Sequence, residues 1–216
     1  ILAGCKHTFE VLQPRGLIAS DERHLLLIVT VLMLVIVVPV IVAVFAIAYR
    51  YRASNKKAKY DPAFGHSYFL ELIWWAVPCL IIAILGTVTW VSTHALSPYR
   101  PLTARAQFAH AKPITIEAIA LRWKWLFIYP KQGIAMVNYV KFPVNVPVRF
   151  YVTSDAPMNS LQIQQLAGQI YAMNGMQTKL HLIANTIGNY RGRSVNFSGA
   201  GYNGMKFTAH VTNLAD

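Results

Sequence analysis

Residues 25–49 decide the fold of this chain: they read LLLIVTVLMLVIVVPVIVAVFAIAY and carry no charged side chain. A helix of this length rises about 37 Å at about 1.5 Å per residue, enough to cross a hydrocarbon core of about 30 Å with some tilt. Residues 72–93, LIWWAVPCLIIAILGTVTWVST, form a second uncharged stretch of similar length. Uncharged runs this long are rare in the cores of water-soluble proteins, so we predict two membrane-spanning helices rather than two buried core helices.

The overall composition agrees with a membrane protein. Of the 216 residues, 55% are hydrophobic and 13% are charged, whereas a soluble domain carries about 25% charged residues. The high apolar content excludes an intrinsically disordered chain. The two cysteines, Cys5 and Cys79, are too few for a disulfide-rich secreted scaffold.

The segment between the two stretches indicates their orientation. Residues 50–67, RYRASNKKAKYDPAFGHS, hold five Lys and Arg side chains against one acid, Asp61. A short loop with this excess of positive charge stays in the cytoplasm. We therefore predict a transmembrane hairpin over 25–93 with a cytoplasmic loop at 50–71 and both chain ends outside.

The first residues, ILAGC, resemble a bacterial lipobox that ends at Cys5. In such a motif the small residues before the cysteine let a peptidase and a lipid transferase reach its thiol at the membrane surface. We expect Cys5 to be lipidated and residues 1–24 to form a periplasmic segment, with an ordinary free thiol as the alternative. The outer domain, from about residue 104 onward, has a net charge of +8 from eleven basic and three acidic residues. This charge fits a solvated surface or contact with anionic lipid headgroups, and we expect no nucleic-acid partner in this compartment.

Beyond a linker at 94–112, the sequence changes to a pattern typical of short strands. We predict strands over 114–129, 136–142, 148–154, 160–166, 177–184 and 205–212. Turn-forming sequences separate them at 130–133, 155–157 and 185–188. Many short strands with this spacing and no helical pattern indicate a β-sandwich or a Greek-key barrel.

Several longer motifs carry a resemblance to a known family. They are the lipobox, YRASNKKAKY at 51–60, Glu71 with Trp74 and Pro78, KPITIEAIALRWKWLFIYP at 112–130, AMNGMQTKLHLIAN at 172–185 and SGAGYNGMKF at 198–207. Together they resemble subunit II of the haem-copper respiratory oxidases, most closely that of the cytochrome bo-type ubiquinol oxidases. The resemblance covers nearly the whole chain. It implies a membrane α + β fold, in which a two-helix transmembrane hairpin precedes a periplasmic cupredoxin-like β-sandwich over 113–216.

In family members that accept electrons from cytochrome c, this sandwich holds a dinuclear copper centre with two bridging Cys, two His, a Met and a backbone carbonyl. On this chain the family's ligand pattern falls on Asn159, Ser194, Asn196, Ser198, Tyr202 and Met205. Only Met205 is retained, and a serine hydroxyl cannot replace a bridging thiolate because it is a hard donor and stays protonated at neutral pH. We therefore expect no copper centre and no other cofactor in this chain, and Met205 to be a core side chain.

The missing ligands favour a quinol dissolved in the bilayer as electron donor, because a copper relay serves a water-soluble cytochrome. The resemblance then implies an accessory subunit, without catalytic residues, of a proton-pumping ubiquinol oxidase of the bacterial inner membrane that reduces oxygen to water. The haems, the catalytic copper and the ubiquinol site would belong to the large subunit I. Subunits III and IV would be further partners, and phospholipid would be bound in the helix grooves.

Three more side chains are candidates for a functional role. In the family, a glutamate at the position of Glu71 lies near the mouth of a proton-uptake path, so Glu71 could assist proton uptake; the alternative is a helix-start acid satisfied by the helix dipole. Trp123 and Trp125 lie where copper-containing relatives keep aromatic residues at the donor-docking surface. We expect these two rings to pack the sandwich against the large subunit.

Two other functions stay open at this point. One is an electron-entry subunit of a cytochrome c oxidase with working copper, against which Ser194 and Ser198 argue. The other is a free-standing, membrane-anchored lipoprotein such as a copper chaperone or an envelope sensor. Metal analysis separates the first from our interpretation, and co-purification with a haem-bearing subunit separates the second.

Overall fold

The computed structural model describes residues 9–59, 61–62, 64–102 and 112–213, and it divides into two compact units. One unit is Leu25–His94, and the other combines Ile1–His24 with Ala95–Asp216. The predicted lipidation site, Cys5, and residues 103–111 of the predicted linker lie outside the described residues.

The first unit holds most of two long apolar helices, α1 (Leu17–Arg50) and α2 (Tyr68–Ala95). Both are long and apolar enough to cross a membrane. In their most apolar windows, 0% and 6% of the residues are buried within the chain. This exposure argues against buried core helices, because a core helix is covered by the rest of its own protein. Each helix also begins earlier than its predicted span, at Leu17 and Tyr68 rather than at 25 and 72.

In its described residues, the second unit is a β-sandwich of ten strands: β1 (Ile114–Leu121), β2 (Lys124–Tyr129), β3 (Ile134–Val137), β4 (Tyr139–Pro143), β5 (Val148–Ser154), β6 (Asn159–Ile163), β7 (Ala167–Ala172), β8 (Thr178–Leu182), β9 (Gly188–Ser194) and β10 (Lys206–Thr212). They form two five-stranded sheets with the orders β3-β2-β1-β5-β8 and β4-β10-β9-β6-β7. The pairs β1–β5 and β4–β10 are parallel, and the other pairs are antiparallel. The predicted sandwich is confirmed.

The core of this unit lies between the two sheets and is rich in aromatic rings. Trp125, Phe127, Phe142 and Phe150 are among its largest fully buried side chains. The rings of Phe127 and Phe207, from β2 and β10, lie 4.9 Å apart and join the sheets. Burying one such ring contributes roughly 1.5–3 kcal/mol. Because successive side chains of a strand point to opposite faces, the residues between these buried positions point outward and are available for surface contacts.

The strand predicted over 114–129 is in fact two strands. A two-residue hairpin turn at Arg122 and Trp123 separates them and pairs Leu121 directly with Lys124. Trp123 adopts a positive φ of 60°. Such a conformation is unusual for a bulky residue and persists only where the surroundings hold it.

The strand predicted over 136–142 also divides, and its halves lie in different sheets. The chain crosses at Asn138, which has a φ of 55°. Its side-chain oxygen accepts a 2.8 Å hydrogen bond from the backbone N–H of Trp125, and its own N–H donates to the Trp125 carbonyl at 2.8 Å. Strands β7 and β9 were not predicted, because AGQIYA and GNYRGRS lack a clear apolar alternation.

The beginning of α1 is hydrogen-bonded to the sandwich, within the second unit. The backbone N–H groups of Arg15 and Gly16 donate to the Gln165 carbonyl at 2.7 and 3.0 Å. A Cβ added at Gly16 would lie 2.7 Å from the Leu166 Cα and 2.8 Å from the Ile183 oxygen. Only a glycine allows two backbones to approach this closely. The described part of residues 1–24 therefore belongs to the same unit as the sandwich.

Candidate functional site

Three neighbouring segments of the sandwich carry the six positions on which the family's copper-ligand pattern falls. Asn159 begins β6, Ser194 ends β9, and the loop 195–205 carries the other four positions. The Ser194 hydroxyl donates to the Asn159 side-chain oxygen at 3.0 Å, and the Ser194 N–H donates to the Met205 carbonyl at 3.0 Å. All three residues are buried. Three of the positions predicted from the family pattern, Asn159, Ser194 and Met205, are thus in direct contact.

Asn159, Ser198 and Met205 line one cavity of about 240 Å³, together with Arg122 and Trp123 of the β1–β2 hairpin. Ser194, Asn196 and Tyr202 do not line it. The Tyr202 ring packs edge-on against Phe197, at 5.6 Å between ring centroids.

The polar groups around this cavity are mostly satisfied within the protein. The Asn159 amide donates to the Pro157 carbonyl at 2.7 Å, and the Asn196 amide donates to the Met158 carbonyl at 2.9 Å. The Ser198 hydroxyl is buried and has no hydrogen-bond partner among the described residues.

This donor set does not fit a dinuclear copper centre. Bridging thiolates and imidazoles are the groups that hold such a copper pair. At the ligand positions, the pocket presents the amide of Asn159, the hydroxyl of Ser198 and the thioether of Met205 instead. Among the described residues, no group of three or more His, Cys, Asp or Glu lies close enough to hold a metal ion. Met205 is 1% exposed and belongs to the hydrophobic core, as predicted.

Trp123 covers the loop that carries the last ligand positions. A Cβ added at Gly199 or Gly201 would lie 2.7 Å from an atom of the indole ring. Because the two glycines have no side chain, the indole ring can pack directly against their backbone, and this contact stabilises Trp123 in its positive-φ turn. Sequence reasoning missed both glycines, although the motif SGAG at 198–201 was a signal for close backbone approach.

Curated relatives match nearly the whole chain. Cytochrome bo(3) ubiquinol oxidase subunit 2 of Pseudomonas aeruginosa is 53% identical over 212 residues, which are 98% of this chain and 62% of that protein. The protein of the same name from Pseudomonas putida is 53% identical over 216 residues, which are 100% of this chain and 67% of that protein. The chain belongs to the family of cytochrome bo(3) ubiquinol oxidase subunit 2. It spans about two thirds of the length of these relatives, and no family model matches it.

A solved structure supports the fold of this subunit 2 family member. One chain in a cryo-EM structure of a haem-copper terminal oxidase dimer aligns with a TM-score of 0.54 and 17% identity, over 66% of this chain and 99% of that chain. The predicted architecture of two apolar helices followed by a cupredoxin-like β-sandwich is confirmed. The two apolar helices and the oxidase relatives make the chain a membrane-anchored protein.

The prediction that Trp125 is an interface residue is wrong for this subunit 2 family member. Its ring is 0% exposed and lies in the core, with ring centroids 6.5 Å from Phe127 and 6.0 Å from Phe207. Lys124 begins β2 with its side chain outward, so the next side chain points inward. Trp123 is 38% exposed and is the only one of the two predicted rings that can meet a partner.

Glu71 lies in the first turn of α2, where its negative charge is favoured by the helix dipole. Its carboxylate is 3.5 Å from the ring nitrogen Nε2 of His66, and the two side chains are 41% and 54% exposed. Sequence reasoning missed His66 because the two residues are five positions apart and only the helix start brings them together.

His181 is a second titratable group held by specific contacts. Its Nδ1 bonds the Pro98 carbonyl at 2.9 Å, and its Nε2 accepts from the Arg149 guanidinium at 3.1 Å. The ring is therefore neutral, with its proton on Nδ1. Burial lowers the pKa of His181; the Pro98 contact opposes this, and the charges of Arg149 and Lys179 add to it.

Proposed function

We propose that the chain is accessory subunit II of a ubiquinol oxidase of the aerobic respiratory chain, a complex that couples ubiquinol oxidation to the reduction of oxygen to water. The family relationship supports the assignment to such an oxidase. The choice of a quinol as electron donor rests on the side chains that line the Asn159–Ser198–Met205 cavity. Because this set does not fit a copper relay, a soluble cytochrome has no entry point here, and electrons come from a quinol in the bilayer.

In this proposal the chain is not catalytic, and its role is to stabilise the large subunit I. The haems, the catalytic copper and the ubiquinol site belong to that subunit, and subunits III and IV are further partners. The exposed apolar side chains of α1 and α2 support this role, because they must be covered either by partner helices or by lipid. Phospholipid would be bound in the remaining grooves.

We propose that the loop 50–71 is cytoplasmic and that both ends of the chain are periplasmic, in the bacterial inner membrane. The excess of Lys and Arg in this loop supports the orientation. Acylation of Cys5 is part of the same proposal, because it would anchor the periplasmic end of the chain beside α1.

Glu71 assists proton uptake from the cytoplasmic side in this proposal. Its exposure and its distance of 3.5 Å from His66 support a path on which a proton could pass between the two groups. Replacing Glu71 by Gln in the assembled oxidase should slow oxygen consumption and proton uptake. Asp61→Asn, another acid of the same loop, is the matched control and should leave both unchanged. Full turnover and pumping in Glu71→Gln would remove this role.

The function is tested by purifying the chain in a mild detergent and recording its subunit masses and visible spectrum. We expect a large haem-bearing subunit to co-purify, and the complex to oxidise ubiquinol but not reduced cytochrome c. Copper bound in the outer domain, or rapid oxidation of cytochrome c, would contradict the choice of donor. Purification of the chain without any haem-bearing subunit would favour a free-standing lipoprotein instead.

A further inference from the structure

The outer face of the second sheet carries a cluster of positive charge that the proposed function does not use. Arg191 and Arg193 on β9 and Lys206 on β10 are exposed, whereas the residues that alternate with them point inward. Lys206 lies directly opposite Arg193 in the register of these two strands. We call these three residues the basic face.

The charge of the basic face is not neutralised. The five strands of this sheet contain no Asp or Glu, and no ion pair involves these three cations in the part of the chain that the structure describes. Arg193 is held instead by two neutral side chains: it donates to the amide oxygens of Gln162 at 3.4 Å and Gln164 at 3.0 Å. These contacts orient the guanidinium and leave its full charge available.

The arrangement lowers the stability of the isolated domain. Like charges directly opposite each other on neighbouring strands destabilise the pairing, and Arg193 and Lys206 occupy such positions. An anionic group bound between them would turn this repulsion into attraction. A partner that supplies negative charge therefore explains why the pair is tolerated.

A groove beside the basic face provides hydrogen-bonding groups as well as charge. Its volume is about 290 Å³, and Arg191 and Lys206 form part of its walls. The remaining polar lining is neutral and consists of Asn138, Asn189 and Thr208. A guanidinium binds a carboxylate through two parallel hydrogen bonds, and the neutral groups can bond to the backbone or side chain of the same ligand.

We propose that the basic face and its groove are a docking surface for an acidic segment of another polypeptide. Arg191 and Arg193 are two residues apart on one strand, so their side chains repeat at about 7 Å, the spacing of alternate side chains in an extended segment. Docking on a bilayer relies on diffuse charge and on apolar side chains that insert into the lipid. The strands of this face offer only Tyr139 and Tyr171 as exposed large hydrophobic side chains, which favours a polypeptide.

The test uses the full chain in detergent and a fluorescein-labelled (Glu-Ser)5 peptide, with (Gln-Ser)5 as the neutral probe. We expect anisotropy titrations at low salt to show binding of the acidic peptide only. Each cation removed should weaken binding by roughly threefold to fivefold, so Arg191→Gln with Lys206→Gln should lose about tenfold or more. The matched control replaces two exposed lysines elsewhere, Lys131→Gln with Lys179→Gln, and should lose less than twofold.

Melting temperatures give a second readout that does not depend on the affinity of the label. The acidic peptide should raise the melting temperature of the wild-type chain and not that of the Arg191→Gln, Lys206→Gln variant. Equal loss of peptide binding in the control variant, or no binding by the wild type, would overturn the proposal. Binding to vesicles containing phosphatidylglycerol but not to the peptide, or complete displacement of the peptide by millimolar inorganic phosphate, would overturn the acidic polypeptide as occupant. None of these outcomes depends on the proposed oxidase function.

Discussion

Replacing Gly16 by Ala should loosen the packing of residues 15–19 against the sandwich. The new Cβ would meet backbone atoms of Leu166 and Ile183, at 2.7 Å from the Leu166 Cα and 2.8 Å from the Ile183 oxygen. These atoms belong to the chain segments that follow β6 and β8, and no side-chain rotation can relieve the overlap. Either the strand ends or the segment around residue 16 must move.

The magnitude follows from the contacts that such a movement breaks. Five backbone hydrogen bonds join residues 15–19 to the sandwich, donated by Arg15, Gly16, Leu17 and Ala19 and, in the other direction, by Asn185. At about 1 kcal/mol each, complete detachment would cost about 5 kcal/mol. Overpacking that is absorbed by small shifts costs about 1–3 kcal/mol. We therefore expect Gly16→Ala to lower the free energy of unfolding of this unit by about 2–4 kcal/mol.

Thermal unfolding of the full chain in detergent, followed by near-UV circular dichroism, measures this effect. A loss of about 2–4 kcal/mol corresponds to a melting temperature about 10 °C lower for a unit of this size. Gly204→Ala is the matched control, because no atom lies within 4 Å of its added Cβ. Equal melting temperatures for the two variants would refute the close approach at Gly16.

Three further predictions concern side chains of the sandwich. His181 is neutral in the folded state with a lowered pKa, so the free energy of unfolding should be constant above about pH 7 and fall as the pH drops below 6.5; His181→Gln should flatten this dependence in melting temperatures. Gly201→Ala should push the ring of Trp123 off the glycine backbone and shift its fluorescence to longer wavelength. Asn138→Ala should destabilise the unit by about 2 kcal/mol in urea unfolding, because it removes the hydrogen bond to Trp125 N–H and places alanine at a positive φ.

Each of these predictions has an outcome that contradicts it. The sign for His181 follows from a folded-state pKa below the unfolded one, so stability that rises as the pH falls toward 5 would refute the neutral ring between Pro98 and Arg149. An unchanged emission spectrum in Gly201→Ala would show that the indole does not lie on that glycine. An Asn138→Gly variant as stable as the wild type would assign the effect to the backbone angle alone.

The membrane helices and much of the sandwich were predictable because each depends on a local pattern. Two uncharged stretches predicted α1 and α2. Strand β5 was predicted with its observed bounds from its alternation of apolar and polar residues. The degenerate ligand positions were predictable by comparison with a family motif. The structure then brought Asn159, Ser198 and Met205 to one cavity.

The errors occurred where a distant contact overrides a local pattern. The Arg122–Trp123 turn contains no turn-forming residue, and it exists because the indole packs on Gly199 and Gly201, about eighty positions away. Trp125 looked like its neighbour Trp123 in the sequence, and only the register of β2 showed that it points into the core.

By itself, the sequence determined that this chain is anchored by two apolar helices, that a β-rich domain follows them, and that residues 113–216 include no cysteine to bridge a copper pair. Each of these depends only on which residues are present, because hydropathy, strand alternation and ligand chemistry are local properties. The tertiary structure alone decided that Asn159, Ser198 and Met205 line one cavity, that Arg191, Arg193 and Lys206 share one face, and that Gly16 packs closely against the sandwich. These features depend on strand register and on close backbone contacts between distant segments, and no local pattern encodes them.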